Sequence, residues 1–115
     1  MTLAGVDLGS YAVALGITLA VEIPVVAAFF PGRRRRMALA CAVATTVTHV
    51  LLYFVFPVFI LRRDLSLLVG EAVATLAEAG AYYAVGREPG RALVAAAVAN
   101  TCSFAIGVVI FVFPD

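Results

Sequence analysis

Five side chains in this sequence could do chemistry in surroundings that otherwise offer none: Glu22, His49, Glu71, Glu78 and Asn100. Each lies inside a long apolar run, attended by the hydroxyls of Thr45, Thr48 and Ser103. An ionisable group placed in hydrocarbon costs about 2.5–3.5 kcal/mol on insertion scales, so such groups turn inward and mark ion pathways or proton relays. Carboxyls, an imidazole and amide or hydroxyl oxygens can pass a proton or bind a cation. Competition between a proton and a cation at Glu22 and Glu78 would couple the movements of the two. The leading expectation is therefore proton or cation binding or translocation at an ion site of Glu22, His49, Glu71, Glu78 and Asn100, with Thr45, Thr48 and Ser103 as supporting polar groups.

Two other readings use the same residues. Glu22, Glu78 and His49 could ligate a single hard or borderline divalent metal ion, as in an intramembrane metal-dependent enzyme. Di-iron bundles, however, use Glu-x-x-His pairs on facing helices, and this chain has one histidine and no such pair. Ser103 and His49 fall at similar depth, but no nucleophile motif surrounds the serine. A non-enzyme is the favoured expectation. The third reading is a non-catalytic assembly or partner subunit whose polar residues only fix helix register, as part of a homo-oligomer or beside another membrane protein.

The elements that must position these residues follow from hydropathy. Of 115 residues, 64% are hydrophobic and 13% charged, whereas a soluble domain is about half apolar and a quarter charged. A membrane helix needs about 20 apolar residues. Four stretches qualify, near residues 8–30, 37–61, 65–85 and 92–113. The expected fold is an all-α integral membrane protein, a four-transmembrane-helix bundle in one domain, with the lipid bilayer as its partner. The linkers 31–36, 62–64 and 86–91 are short, which forces sequence neighbours to pack antiparallel. Asp7 before the first run, the length of that run and Glu22 within it argue against a cleaved signal peptide. Near-zero net charge argues against nucleic acid as a partner. Cys41 and Cys102 both lie in apolar runs and are read as small buried residues. Pro24 is a candidate kink beside Glu22.

Arginines orient the chain. Arg33, Arg34, Arg35, Arg36, Arg87 and Arg91 share one side, against Arg62 and Arg63 on the other. The positive-inside rule then puts both termini outside the cytoplasm of a bacterial or archaeal cell membrane. Aromatic residues near the span ends, among them Tyr11, Phe29, Phe30, Tyr82 and Tyr83, fit interfacial belts.

The second and fourth runs also look alike. Residues 42–48 (AVATTVT) match 97–103 (AVANTCS) without a gap, so Thr45 answers Asn100, Thr48 answers Ser103, and His49 answers Phe104. Glu22 answers Glu78 within one residue of the same offset. The expected arrangement is two parallel helical-hairpin repeats about a pseudo-two-fold axis. Counted from the arginine-rich ends, Glu22, Thr45, Glu78 and Asn100 all lie about 11–12 Å deep, His49 and Ser103 about 17 Å, and Glu71 about 21 Å. Four helices thus contribute to one polar layer. Glu22 and Glu78 are expected to meet across the axis, and His49 to reach Glu71 or Glu78. In size and layout, with four short helices and a deep glutamate in the first, the chain resembles the small multidrug-resistance transporters. Aromatic residues suited to cationic drugs are sparse near its polar layer.

Overall fold

In a computed structural model, which describes residues 2–3, 6–55 and 63–112, the chain folds as a bundle of four helices. They are α1 (Leu8–Phe29), α2 (Arg34–Val50), α3 (Arg63–Gly86) and α4 (Pro89–Val112). A 3-10 turn, Pro31–Arg33, joins α1 to α2, and a π-helical segment, Leu51–Val55, extends α2. Ahead of α1, Thr2–Leu3 and Val6–Asp7 form a two-residue antiparallel pairing.

The expected helices are present, with shifted ends. The second begins at Arg34, inside the arginine run rather than after it. Arginine is a good helix former, so nothing in the run itself stops the helix. The last helix begins at Pro89, where a missing N–H costs nothing because first-turn amides have no intrahelical partner. The break between α3 and α4 is therefore tight. Arg87 makes it by adopting a left-handed backbone, φ 62°. α1 runs unbroken through Pro24. The linker at 62–64 and the aromatic residues Phe56, Phe59 and Phe113 lie at or beyond the edges of the described residues.

Among the described residues, three segments are long and apolar enough to cross a membrane: Leu8–Phe29, Pro31–Val55 and Pro89–Val109. α3, which carries both Glu71 and Glu78, does not join them. Outward surfaces are apolar. Leu39, Leu68, Leu76 and Val109 are each 60% exposed or more, an arrangement costly in water and compatible with lipid.

Each helix packs on two neighbours: α1 on α2 and α4, α3 on α2 and α4. α1 thus lies diagonal to α3, and α2 diagonal to α4. Inward faces follow helical spacing. On α3 the buried positions recur every fourth residue: Ser66, Gly70, Ala74, Glu78, Tyr82 and Gly86. Ala77, by contrast, faces outward. On α4 the buried set is Ala92, Ala95, Ala96, Ala99 and Asn100. Four alanines let the α4 backbone approach its neighbours closely. Their partners are Val26, Phe30, Met37, Cys41 and Tyr82, which fill the arginine-bearing half of the core.

α1 is capped from outside the apolar run. The Asp7 carboxylate accepts from the Ser10 amide at 3.2 Å and the Ser10 hydroxyl at 2.7 Å. These bonds hold the Asp7 carboxyl below its ordinary value of 3.8. A carboxyl depressed on folding contributes stability that is complete above its unfolded value and is lost as pH falls through the folded one. Asp7→Ala is accordingly expected to speed hydrogen exchange over residues 8–11 at neutral pH. The difference between variant and parent should vanish only when the parent is acidified well below pH 3.8.

Candidate functional site

The centre of the bundle holds two carboxyls. Glu22 and Glu78 are each 1% exposed, project from the diagonal helices α1 and α3, and lie close enough for their carboxyls to interact. Glu22 Oε1 accepts from the Thr45 hydroxyl at 3.0 Å, and Oε2 from the Ser103 hydroxyl at 2.6 Å. Glu78 Oε2 accepts from the Thr48 hydroxyl at 2.9 Å. Its Oε1 accepts from Asn100 Nδ2 at 3.2 Å and from the Tyr82 hydroxyl at 3.4 Å. All four carboxyl oxygens are thereby satisfied inside a poorly hydrated core, as buried polar groups must be.

The bonding is reciprocal. Glu22 takes one donor from the helix that follows it, Thr45 of α2, and one from α4, Ser103. Glu78 likewise takes Asn100 from the helix that follows it and Thr48 from α2. Thr45 corresponds to Asn100 in the aligned runs, and Thr48 to Ser103. The second layer repeats the pattern. The Thr48 hydroxyl also lies 3.1 Å from the Thr45 carbonyl, and the Ser103 hydroxyl 3.2 Å from the Asn100 carbonyl. A hydroxyl has one hydrogen to donate. Each of these two can serve the carbonyl fully only when the facing carboxyl carries its own proton and donates in turn. Asn100 is further fixed by its bond to the Ala96 carbonyl at 2.9 Å.

His49 does not join this cluster. It was expected beside Glu71 or Glu78, yet its buried Nε2 has no hydrogen-bond partner. Successive residues on a helix point about 100° apart, so Thr48 faces Glu78 and His49 turns away. The imidazole stacks on Tyr53 at 4.7 Å and tilts against Tyr11 at 5.4 Å, while Tyr11 also packs edge-on against Tyr53 and Phe54. The set Glu22, Glu78 and His49 is not assembled as metal ligands. Among the described residues no group of three or more His, Cys, Asp or Glu is placed to hold a metal ion. Glu71 is half-buried and near enough to Glu22 for their charges to interact.

Tyr82 is the site residue that sequence reading missed. Its place near a helix end suggested an interfacial belt, but it is fully buried. The available signal was its spacing, four residues beyond Glu78 and so on the same face. Phe30, assigned to the same belt, is also buried, at 2% exposure. Cys41 is buried as expected, 3.7 Å from the Thr45 hydroxyl, whereas Cys102 is partly exposed.

The reciprocal bonds can be checked by a double-mutant cycle. Interhelical hydrogen bonds of this kind contribute about 0.6–1.7 kcal/mol in membrane bundles. Ser103→Ala is expected to destabilise the protein by about that amount in denaturant titration and to cost nothing further once Glu22 is replaced by Leu. Equal costs in the two backgrounds would show that Ser103 does not act through Glu22. Comparison with protein-family models, curated proteins and solved structures finds no match, so the functional reading of this chain rests on the geometry just described.

Proposed function

We propose that this chain is a four-span integral membrane protein that binds or translocates a proton or another cation at the Glu22–Glu78 pair. The observation that carries the reading is the meeting of two buried carboxyls inside a single shell of neutral donors. Two carboxylates in contact at low dielectric repel strongly, and such a pair holds a shared proton or takes up a compensating cation. No arginine bonds to either glutamate among the described residues. A shared proton or a bound cation can supply the compensating charge. Two hydroxyls, each poised between a carboxyl and a backbone carbonyl, suit a pair whose proton content changes.

The membrane setting is supported by three helices of sufficient length and apolarity and by the apolar outer surface. α3 completes the set of four: Glu78 is buried in the core, Glu71 is half-buried, and Leu68 and Leu76 are exposed on its outer side. The two arginine-bearing linkers touch, since an Arg33 guanidinium donates to the Gly86 carbonyl and Arg91 donates to that of Phe29 at 3.3 Å. Six arginines at one end favour a cytoplasmic location for that end, with both termini outside. The reciprocal hydrogen bonds and the diagonal packing support two parallel hairpin repeats about a pseudo-two-fold axis.

Infrared difference spectra of the reconstituted protein across a pH titration test the function. A protonated carboxyl band should appear and disappear between mildly acidic and mildly alkaline pH, and a competing cation should displace it. Glu78→Gln should keep the fold and abolish both effects. A band that responds to neither pH nor cations would reduce the acidic pair to a structural element. For topology, maleimide labelling of single cysteines, in a chain with Cys41 and Cys102 replaced, should reach residue 2 only from outside and residue 35 only from the cytoplasm.

A further inference from the structure

Taking the acidic pair as an ion site, we infer that Phe30 is a gating residue that seals the pair from the aqueous phase at the arginine end, held shut by a latch built from Gly86, Arg33 and Arg91. Phe30 closes α1, and its ring is buried although it sits where the chain leaves the bundle. Two contacts from the opposite hairpin converge on it, and a third ties its own linker to that hairpin. First, its ring lies against Gly86 so closely that a methyl group on that residue would sit 2.7 Å from the ring. No side chain larger than hydrogen fits there while Phe30 stays in place. Second, the Arg91 guanidinium lies 5.9 Å above the ring and donates to the carbonyl of the preceding residue, Phe29. Third, Arg33 reaches back to the Gly86 carbonyl, tying the first linker to the end of α3.

Beneath the ring, Val26, Met37, Ala92 and Ala95, with Cys41 and Tyr82 below, pack without exposure. This plug contains no charged side chain. About eight residues of α1, roughly 12 Å of helix, separate Phe30 from Glu22. An ion cannot cross such a layer while it is packed, because each charge would shed its hydration with nothing in exchange. At its outer rim the polar contacts that hold the plug join exposed arginines to backbone carbonyls. Water can replace those bonds at small cost. The ring is therefore the apolar stop, and the two arginines are a clasp that can let go without leaving a buried charge behind. Arg87, next to Gly86, adopts a left-handed backbone at the turn that leads into α4.

Cys41 reports on the seal, since it lies fully buried within the plug and one helical turn from Thr45. The experiment measures Cys41 alkylation by a water-soluble maleimide in lipid nanodiscs, with Cys102→Ser as parent. The parent should react slowly. Phe30→Ala should react at least about tenfold faster, because loss of a buried aromatic ring favours local opening by that factor or more. Gly86→Ala, which displaces the ring, and the pair Arg33→Met with Arg91→Met, which removes the clasp, should each change the rate in the same direction. Thermal stability of each variant separates local opening from global unfolding. Alkylation as slow in stable Phe30→Ala and Gly86→Ala proteins as in the parent would overturn the gate. So would a parent in which Cys41 already reacts freely. Should Phe30→Ala fail to fold, the Gly86→Ala and arginine variants decide the question alone. The carboxyl infrared band, followed in the same parent, keeps the two ideas apart: a silent band with an accelerated Cys41 removes the ion site and leaves the seal, and a titrating band with an indifferent Cys41 does the reverse.

Discussion

Two carboxyl groups buried close together set the central constraint on this bundle. Neither can reach water, and an unsatisfied polar group away from solvent costs several times what a made hydrogen bond returns. Every helix is therefore committed to their solvation. α1 and α3 supply the acids, α2 supplies Thr45 and Thr48, and α4 supplies Asn100 and Ser103. Rotating any helix by one residue would orphan at least one carboxyl oxygen. Register is thus set at the centre by polar groups, while an outer surface of Leu, Val and Ala imposes no register at all. In a lipid bilayer, which is as apolar as this exterior, specific polar contacts and close packing would be the forces available for choosing one arrangement.

The same constraint explains how much of the structure could be read from the residues alone. Hydropathy marked four runs because a chain with this composition has few ways to be stable. Depth counting put Glu22, Thr45, Glu78 and Asn100 in one layer because helical rise is nearly invariant, and the alignment of 42–48 with 97–103 tied Thr48 to Ser103. What depth cannot give is azimuth. Thr48 and His49 differ by one residue in depth and by about 100° in direction. Only the packing of α2 against α3 shows that the hydroxyl, and not the imidazole, meets Glu78. Tyr82 and Phe30 failed for a related reason. Position near a helix end says that an aromatic ring is close to an interface, but not whether it faces out or in. Helix ends also moved, since arginine and proline are both acceptable in a first turn.

The near-symmetry of the centre is broken at two places. The position corresponding to His49 is Phe104, which is exposed, and the fully buried Val26 occupies α1 where Tyr82 occupies α3, each four residues beyond its glutamate. One carboxyl consequently has two donors and the other has three. Two acids in identical surroundings would be interchangeable. Here the phenol and the neighbouring amide both converge on Glu78 Oε1, so the pair has a distinguishable member. The aromatic group of Tyr11, His49, Tyr53 and Phe54 lies on one side of that centre only. Similar hairpins have thus produced a core with a direction along the bundle.

The alanine lining of α4 has a mechanical meaning. Ala92, Ala95, Ala96 and Ala99 present methyl groups to the core, and a methyl group has no rotamer to change. A core lined by leucine or methionine can absorb a shift of a few tenths of an ångström by turning side chains. This one cannot, because the spacing between α4 and its neighbours is a contact between a backbone and whatever faces it. Displacement of α4 must then be carried whole, as a tilt or slide of the helix, and Asn100 and Ser103 would travel with it. The wall nearest the two acids is stiff across its width and free to move only as a unit.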